Sequence, residues 1–374
     1  MEYLDLPILG NRQVKINPSQ YDDIKEELEN FLSDKNYMKT IAFVKKILFN
    51  LEIKSNNTVE GFTDDINFIE EVIKNTGSIT NDEKRKRIIN LYYGYKFILN
   101  HHQINEEDLK KLYDILSEGL LCQNDLNRMG PLYRRAPVYI LNKGRLDTEL
   151  DQGLPYELIQ QYMDKYFEFI SNNQDGTMTE YFIKSQIIHF YFVYIHPYFD
   201  VNGRTSRTVA MWYLINMKAY PYLIFNRAIN FAQGSYDGKI LDAKYNGDIS
   251  RFIEFMMVNV KKELEKEMIM GEIKENTNSK MRAMDFQALN YILSMNGDIN
   301  VLTFATLYRA NNGFKKVKDI YEEVLRPLIE KEILIITRTT QKYMFDEYRN
   351  EVLKINPTRY DSDNPQIKRL KIKR

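Results

Sequence analysis

Residues 179–195 read TEYFIKSQIIHFYFVYI, apolar on nearly every side, with Pro197 two residues later. A helix of that kind cannot lie on a surface; it needs neighbours all around it. The rest of the chain supplies them. Residues 21–50, 84–99 and 106–121 carry apolar side chains at helical spacing. From Tyr156, YELIQQYMDKYFEFI puts Leu158, Tyr162 and Tyr166 on one stripe, with Ile159, Met163, Phe167 and Ile170 beside it. After the break, RTSRTVAMWYLINM resumes the period and offers Val209, Trp212, Tyr213 and Ile215 to a core. The expected fold is mostly α, a helical bundle built around 179–195.

Two stretches interrupt the helical pattern. Residues 130–155, rich in Gly and Pro with a short alternation around VYI, read as a hairpin or flap. GEIKENTNSK at 271–280 is polar and charged and reads as an interdomain linker. Beyond it, 285–295 and 317–331 are helical, with a shorter turn at 302–308, and EILIITRTTQKYMFD from Glu332 reads as two strands joined by a polar turn. Helices followed by a terminal hairpin is the order of a winged helix-turn-helix. The end, KRLKIKR from Lys368, reads as a solvated basic tail.

Composition excludes several function classes. At 374 residues the chain has room for two or three domains. Lys plus Arg equals Asp plus Glu, 52 each, so no global field draws it to nucleic acid or membrane. Within 314–332, Lys315, Lys316, Lys318, Arg326 and Lys331 are balanced by Asp319, Glu322, Glu323, Glu330 and Glu332. That balance argues against DNA and for a docking or dimerising role. Cys122 is alone, which excludes an internal disulfide, fits a reducing compartment and reads as a small buried hydrophobe. MEYLDLPILGNRQ lacks a basic segment followed by an apolar one, and no stretch is long enough to span a bilayer. The expected location is the cytoplasm.

The twelve residues HPYFDVNGRTSR, 196–207, follow the apolar helix directly. Pro197 stops that helix and leaves His196 at its mouth, where an imidazole can accept a proton near neutral pH. Asn202 and Gly203 open the next helix, the first as an N-cap and the second as a site of positive φ, and helix N-termini bind anions. Arg204 and Arg207 lie three apart in its first turn, where cations oppose the macrodipole. A bound polyphosphate would remove that objection. Asp200 suits Mg²⁺, an ion that keeps water and phosphate oxygens as ligands. The plainer reading is a polar turn whose arginines make surface salt bridges; the order of these groups between two buried helices favours a phosphate site. Val201 leaves two readings open. Either φ there is negative and Val is tolerated, or a β-branched residue reshapes the anion site.

The string resembles the signature of the Fic family: His-Pro-Phe, any residue, an acid, Gly-Asn-Gly-Arg, two residues, Arg. Tyr198 stands at the phenylalanine and Val201 at the first glycine. Gly130, Tyr133, Arg134, Val138 and Ile140 resemble the family's flap, the hairpin that aligns a target segment beside the site. NNTVEGF at 56–62 resembles its inhibitory motif, with Glu60 and Gly61 matching and Asn56, able to cap a helix, in the Ser/Thr place. The resemblance covers roughly residues 20 to 270, and the C-terminal part is similar to the winged-helix appendage of longer Fic proteins.

The implied organisation is an N-terminal helical region, 1–110, with the inhibitory motif at 56–61, then a catalytic domain, 111–270, with flap 130–142. A linker, 271–283, a winged-helix domain, 284–350, and a basic tail, 351–374, complete it. The implied activity is protein adenylyltransferase: AMP passes from ATP to a Ser, Thr or Tyr hydroxyl of a target protein, the enzyme itself included. The resemblance makes His196 the general base and Asp200 the ligand of Mg²⁺ across the α- and β-phosphates. Val201, Asn202, Gly203, Thr205 and Ser206 form the ATP-binding turn, Arg204 contacts the β- and γ-phosphates and Arg207 the γ-phosphate. Tyr236 lines the adenine pocket, and Glu60 represses transfer by pairing with Arg207. Three alternatives remain: removal of AMP with Glu60 activating water, transfer of another nucleotide, and a winged-helix regulator or interaction protein with a degenerate Fic site. The oligomeric state is left open, a homo-oligomer included.

Overall fold

The apolar run dictates the architecture, and in the computed structural model it forms the helix Met178–Ile195. The structure describes residues 1–33, 49–77, 81–140, 151–173, 175–230, 232–277, 280–295, 298–312, 316–339 and 347–359. In chain order, strands β1 (Glu2–Ile8) and β2 (Arg12–Ile16) precede helices α1 (Asp22–Leu32), α2 (49–59), α3 (Ile66–Lys74), α4 (Glu83–Asn100), α5 (Glu106–Ser117) and α6 (Gln123–Arg128). The strand pair β3 (Tyr139–Ile140) and β4 (Asp151–Gln152) follows. Next come α7 (Ile159–Ser171), α8 (Met178–Ile195), α9 (Asn202–Asn216), α10 (Phe225–Asn230), α11 (Gln233–Asn246) and α12 (Ser250–Glu275). The chain continues through α13 (Ala283–Ser294), β5 (Ile299–Asn300), α14 (Val301–Asn312), α15 (Val317–Ile320) and α16 (Arg326–Glu330) to β6 (Leu334–Thr339) and β7 (Glu351–Ile355). Two units divide it: residues 1–33 with 75–260, and 34–74 with 261–374. Among the described residues no helix is long and apolar enough to cross a membrane.

In the first unit α8 is central, packed on by α1, α7 and α9, while α4 and α5 pack on α9. A capping box starts α8: Glu180 N donates to Thr177 Oγ1 (3.2 Å) and Thr177 N to Glu180 Oε2 (2.8 Å). Its polar interruptions are satisfied. Ser185 Oγ donates to Phe182 O at 2.6 Å, and Lys184 Nζ reaches Asn172 O at 2.6 Å, closing the end of α7. Burial pulls the Lys184 ammonium down to about 8. The flap reading holds for β3 and β4, an antiparallel pair; residues 141–150, including the end of the expected flap, lie outside the described residues.

The N-terminus corrects the expected helical region. Leu6 and Ile8 alternate inward on β1, as do Val14 and Ile16 on β2, and Gly10 and Asn11 between them both have positive φ. That is hairpin chemistry, a period of two around a turn that needs left-handed backbone. Tyr191 Oη donates to Pro7 O (2.7 Å) and Tyr194 Oη accepts from Leu9 N (2.8 Å), seating the hairpin on α8. Nor is the region one domain, because residues 34–74 belong to the second unit. Cys122 is exposed rather than buried, since it precedes the short surface helix α6 and contributes nothing to a core.

In the second unit α3 packs on α13, and β7 is the central strand of an antiparallel sheet in the order β5-β7-β6. Asp285 at the start of α13 is fully buried; burial alone would raise its pKa, yet bonds from Arg282 (2.7 Å) and Lys331 (2.9 Å) hold it below the usual range. Two expected boundaries move. Residues 271–275 are not linker but the last turn of α12, with Met268, Ile269, Met270 and Ile273 buried; the surrounding charges masked a helical apolar spacing. Residues 351–355 are not tail but β7, where Val352, Leu353 and Ile355 are buried. The second strand expected within YMFD, 343–346, lies outside the described residues. Ile273→Ala is expected to cost about 2–5 kcal/mol, read as a lower urea midpoint. A solvated linker would give a change within about 0.5 kcal/mol.

Candidate functional site

The loop between α8 and α9 begins and ends on left-handed backbone at non-glycine residues. His196 has φ 53° and Val201 has φ 66°. Such a conformation costs about 1–2 kcal/mol for an L-residue and is an outlier for a β-branched one. At His196 it lets the chain leave α8 before Pro197 while the helical bond from its N–H to Phe192 O (2.9 Å) is kept. At Val201 it turns the chain into α9, whose first bonds run from Thr205 N (2.9 Å) and Thr205 Oγ1 (2.8 Å) to Val201 O.

This corrects the assignment of N-cap and turn. Val201, not Asn202, occupies the capping position, and positive φ falls on Val201 rather than Gly203. Asn202 instead clamps the loop: its Oδ1 accepts from Tyr198 N (3.0 Å) and its Nδ2 donates to Tyr198 O (2.8 Å). Tyr198 is fully buried and stacks on Tyr113 with ring centroids 3.5 Å apart. Its hydroxyl has no hydrogen-bond partner among the described residues, a penalty that a phenylalanine would avoid.

A second clamp comes from the flap. Arg134 N donates to Pro197 O (3.0 Å) and Arg134 Nε to His196 O (2.9 Å), while the Arg128 guanidinium lies over Phe199, 4.6 Å from the ring centroid. The His196 ring is half-buried, with Nδ1 3.4 Å from Val193 O.

The helix end beside it is electropositive. The N–H groups of Asn202, Gly203 and Arg204 open α9, where no intrahelical acceptor exists. Arg204 and Arg207 are 4% and 1% exposed, so they are not surface salt-bridging residues. Thr205 and Ser206 turn their hydroxyls into their own helix, to Val201 O and Gly203 O at 2.8 Å each. Asp200 is exposed and accepts from Val201 N through Oδ1 at 2.6 Å. Among the described residues no three His, Cys, Asp or Glu side chains gather as a metal cage. A lone exposed carboxylate beside an anion site fits an ion such as Mg²⁺, which draws its other ligands from phosphate and water.

Tyr236 is buried, its hydroxyl 2.8 Å from Nε2 of His189 and its ring stacked on that imidazole. Burial first, and the Arg207 charge second, push the His189 pKa well below its ordinary value. Neither this pairing nor the Arg134 clamp follows from a spacing rule, because the partners lie far apart in the chain.

Glu60 belongs to the second unit, at the C-terminal end of α2. Gly61, with φ 88°, closes that helix: Gly61 N donates to Thr58 O (2.8 Å) and Phe62 N to Asn57 O (3.1 Å), a Schellman motif. Asn56 is buried inside α2 and is not a cap.

Comparisons with known proteins concern the family and the fold. Residues 103–214 match the model of the Fic/DOC family. A Fic family protein from Desulfovibrio desulfuricans G20 superposes with a TM-score of 0.56 at 18% identity, over 91% of this chain and 97% of that one. Fic-1 (residues 134–508) from C. elegans aligns with a TM-score of 0.42 at 14% identity, over 67% of this chain and 69% of that one. No curated protein matches the chain.

Two outcomes follow from the loop and its buried surroundings. Val201→Gly should be more stable than Val201→Ala by about 1 kcal/mol in urea unfolding, since the two differ by a single methyl and only glycine is relieved at positive φ. The unfolded chain protonates His189 near pH 6.5 and the folded chain only well below that. Stability therefore falls as pH drops below about 6.5, by up to about 1.4 kcal/mol per pH unit. Urea midpoints measured from pH 7 to 5 should show a shallower slope for His189→Gln.

Proposed function

The chain is a Fic-domain protein, and from that premise we propose that it transfers AMP from ATP to a hydroxyl side chain of a target protein, itself included. One observation carries the reading: two buried arginines open α9 directly across a short clamped loop from a histidine released from α8. Cations at a helix N-terminus oppose its dipole. A polyphosphate there would neutralise them and accept the N–H groups of residues 202–204.

Held in that place, the triphosphate presents its α-phosphorus to the incoming hydroxyl. The hydroxyl oxygen bonds to phosphorus, the bridging oxygen to the β-phosphate leaves with pyrophosphate, and the hydroxyl proton passes to Nε2 of His196. Arg204 and Arg207 stabilise the charge on the departing phosphates. Asp200 would hold Mg²⁺, which when bound neutralises phosphate charge. The target lies along the flap.

Glu60 is the proposed brake. A carboxylate at the C-terminal end of α2 opposes that helix's dipole, as the arginines oppose that of α9. Its removal is the change expected to release transfer. The C-terminal elements, α13, β5, α14, α15 to α16, then β6 and β7, suit a winged-helix module, and its mixed charge suits a protein partner.

The test is incorporation of label from α-³²P-ATP with Mg²⁺ present. Glu60→Gly is expected to raise labelling at least about tenfold, and His196→Ala in that background to abolish it, as loss of a general base costs about 10²–10⁴ in rate. Folded protein that takes no label in any variant would contradict the proposal. Loss of AMP release from a modified target on Glu60→Gly would point to removal instead.

A further inference from the structure

Arg134 is 2% exposed, and its guanidinium binds three backbone carbonyls. Nη1 donates to Ala136 O (2.8 Å), before β3; Nη2 donates to Leu154 O (2.5 Å), after β4; Nε donates to His196 O (2.9 Å). Its backbone N–H takes Pro197 O at 3.0 Å. One residue thus joins both limbs of the flap to the first two residues of the loop. Burial pulls its pKa down to about 10, so the charge is retained at neutral pH, where it strengthens all three bonds.

The junction has no slack. A Cβ on Gly153 would lie 2.6 Å from Val138 Cγ1, 2.9 Å from Arg134 Nη2 and 3.5 Å from His196 Cβ. Gly153 is therefore where the returning limb of the flap passes close to both the arginine and the histidine. His196, held at positive φ, has its carbonyl held by Arg134.

We propose that Arg134 is a positioning residue that couples the placement of the flap to the placement of the His196 imidazole, so that a hydroxyl lying along the flap meets the base. The inference rests on the reading of His196 as base. A planar fork can satisfy three carbonyls at once, whereas a lysine ammonium cannot reproduce that fan of donors.

The experiment compares full-length Glu60→Gly protein with the same protein carrying Arg134→Lys, Arg134→Met or Gly153→Ala. Labelling from α-³²P-ATP should fall at least about tenfold at saturating ATP, with the KM for ATP changed less than about twofold, because the phosphate site on α9 is untouched. Arg134→Lys should recover part of the rate lost in Arg134→Met. The second readout needs no activity: the ring ε1 resonance of His196, one of four histidines, identified by its loss in His196→Gln. It should shift and broaden in Arg134→Met and Gly153→Ala. A rate unchanged from the Glu60→Gly parent and an unmoved His196 resonance in either folded variant overturn the proposal. If Arg134→Met does not fold, Gly153→Ala and Arg134→Lys decide by the same criteria. If no variant takes label, the activity reading fails, and the resonance alone decides whether Arg134 sets the ring.

Discussion

Everything at the candidate site depends on holding two non-glycine residues in left-handed backbone five positions apart. His196 and Val201 each carry strain that a free peptide would relieve. The Asn202 amide closes on both backbone groups of Tyr198, and the Arg134 guanidinium holds His196 O. Stacking of Tyr198 on Tyr113 buries the middle of the loop. These contacts over-determine the turn, so α8 can end at Ile195 and α9 begin at Asn202. Without them Pro197 would still stop α8, but nothing would fix where the imidazole and the amides of α9 point relative to each other.

The surrounding bundle makes the loop rigid and the charges costly. α8 is enclosed by other helices, and α9 carries Arg204 and Arg207 into the same interior. Charge buried at the wrong end of a helix dipole is a feature that packing alone does not select. His189, buried beside that charge with Tyr236 on its ring, is kept neutral and adds no further cation. An interior of low dielectric would strengthen contacts to a phosphate group.

Much of this was legible in the sequence, for identifiable reasons. The all-round apolar pattern of 179–195 required a central helix, and Pro197 marked its end within a residue. The helical fold and the Fic resemblance were both readable, because the signature is long and local. What escaped has physical causes. Gly10–Asn11 with its alternating flanks was a hairpin signal too short to stand out against long helices. The charged residues around Ile273 hid an apolar stripe, and Val352, Leu353 and Ile355 were read as tail because the basic end lies beside them. Asn202 was given the cap and Gly203 the positive φ from residue preference, but geometry shifted both duties to Val201. Arg134 was visible only as a flap residue; its role lies in contacts spanning 62 positions to His196, which periodicity cannot report.

The most direct measurement is a crystal structure of the Glu60→Gly protein with a non-hydrolysable ATP analogue and Mg²⁺. The account predicts the phosphates on the N–H groups of residues 202–204 and on the Arg204 and Arg207 guanidiniums, with the α-phosphorus facing Nε2 of His196. An analogue bound elsewhere, or phosphates that leave both arginines untouched at saturating concentration, would contradict it.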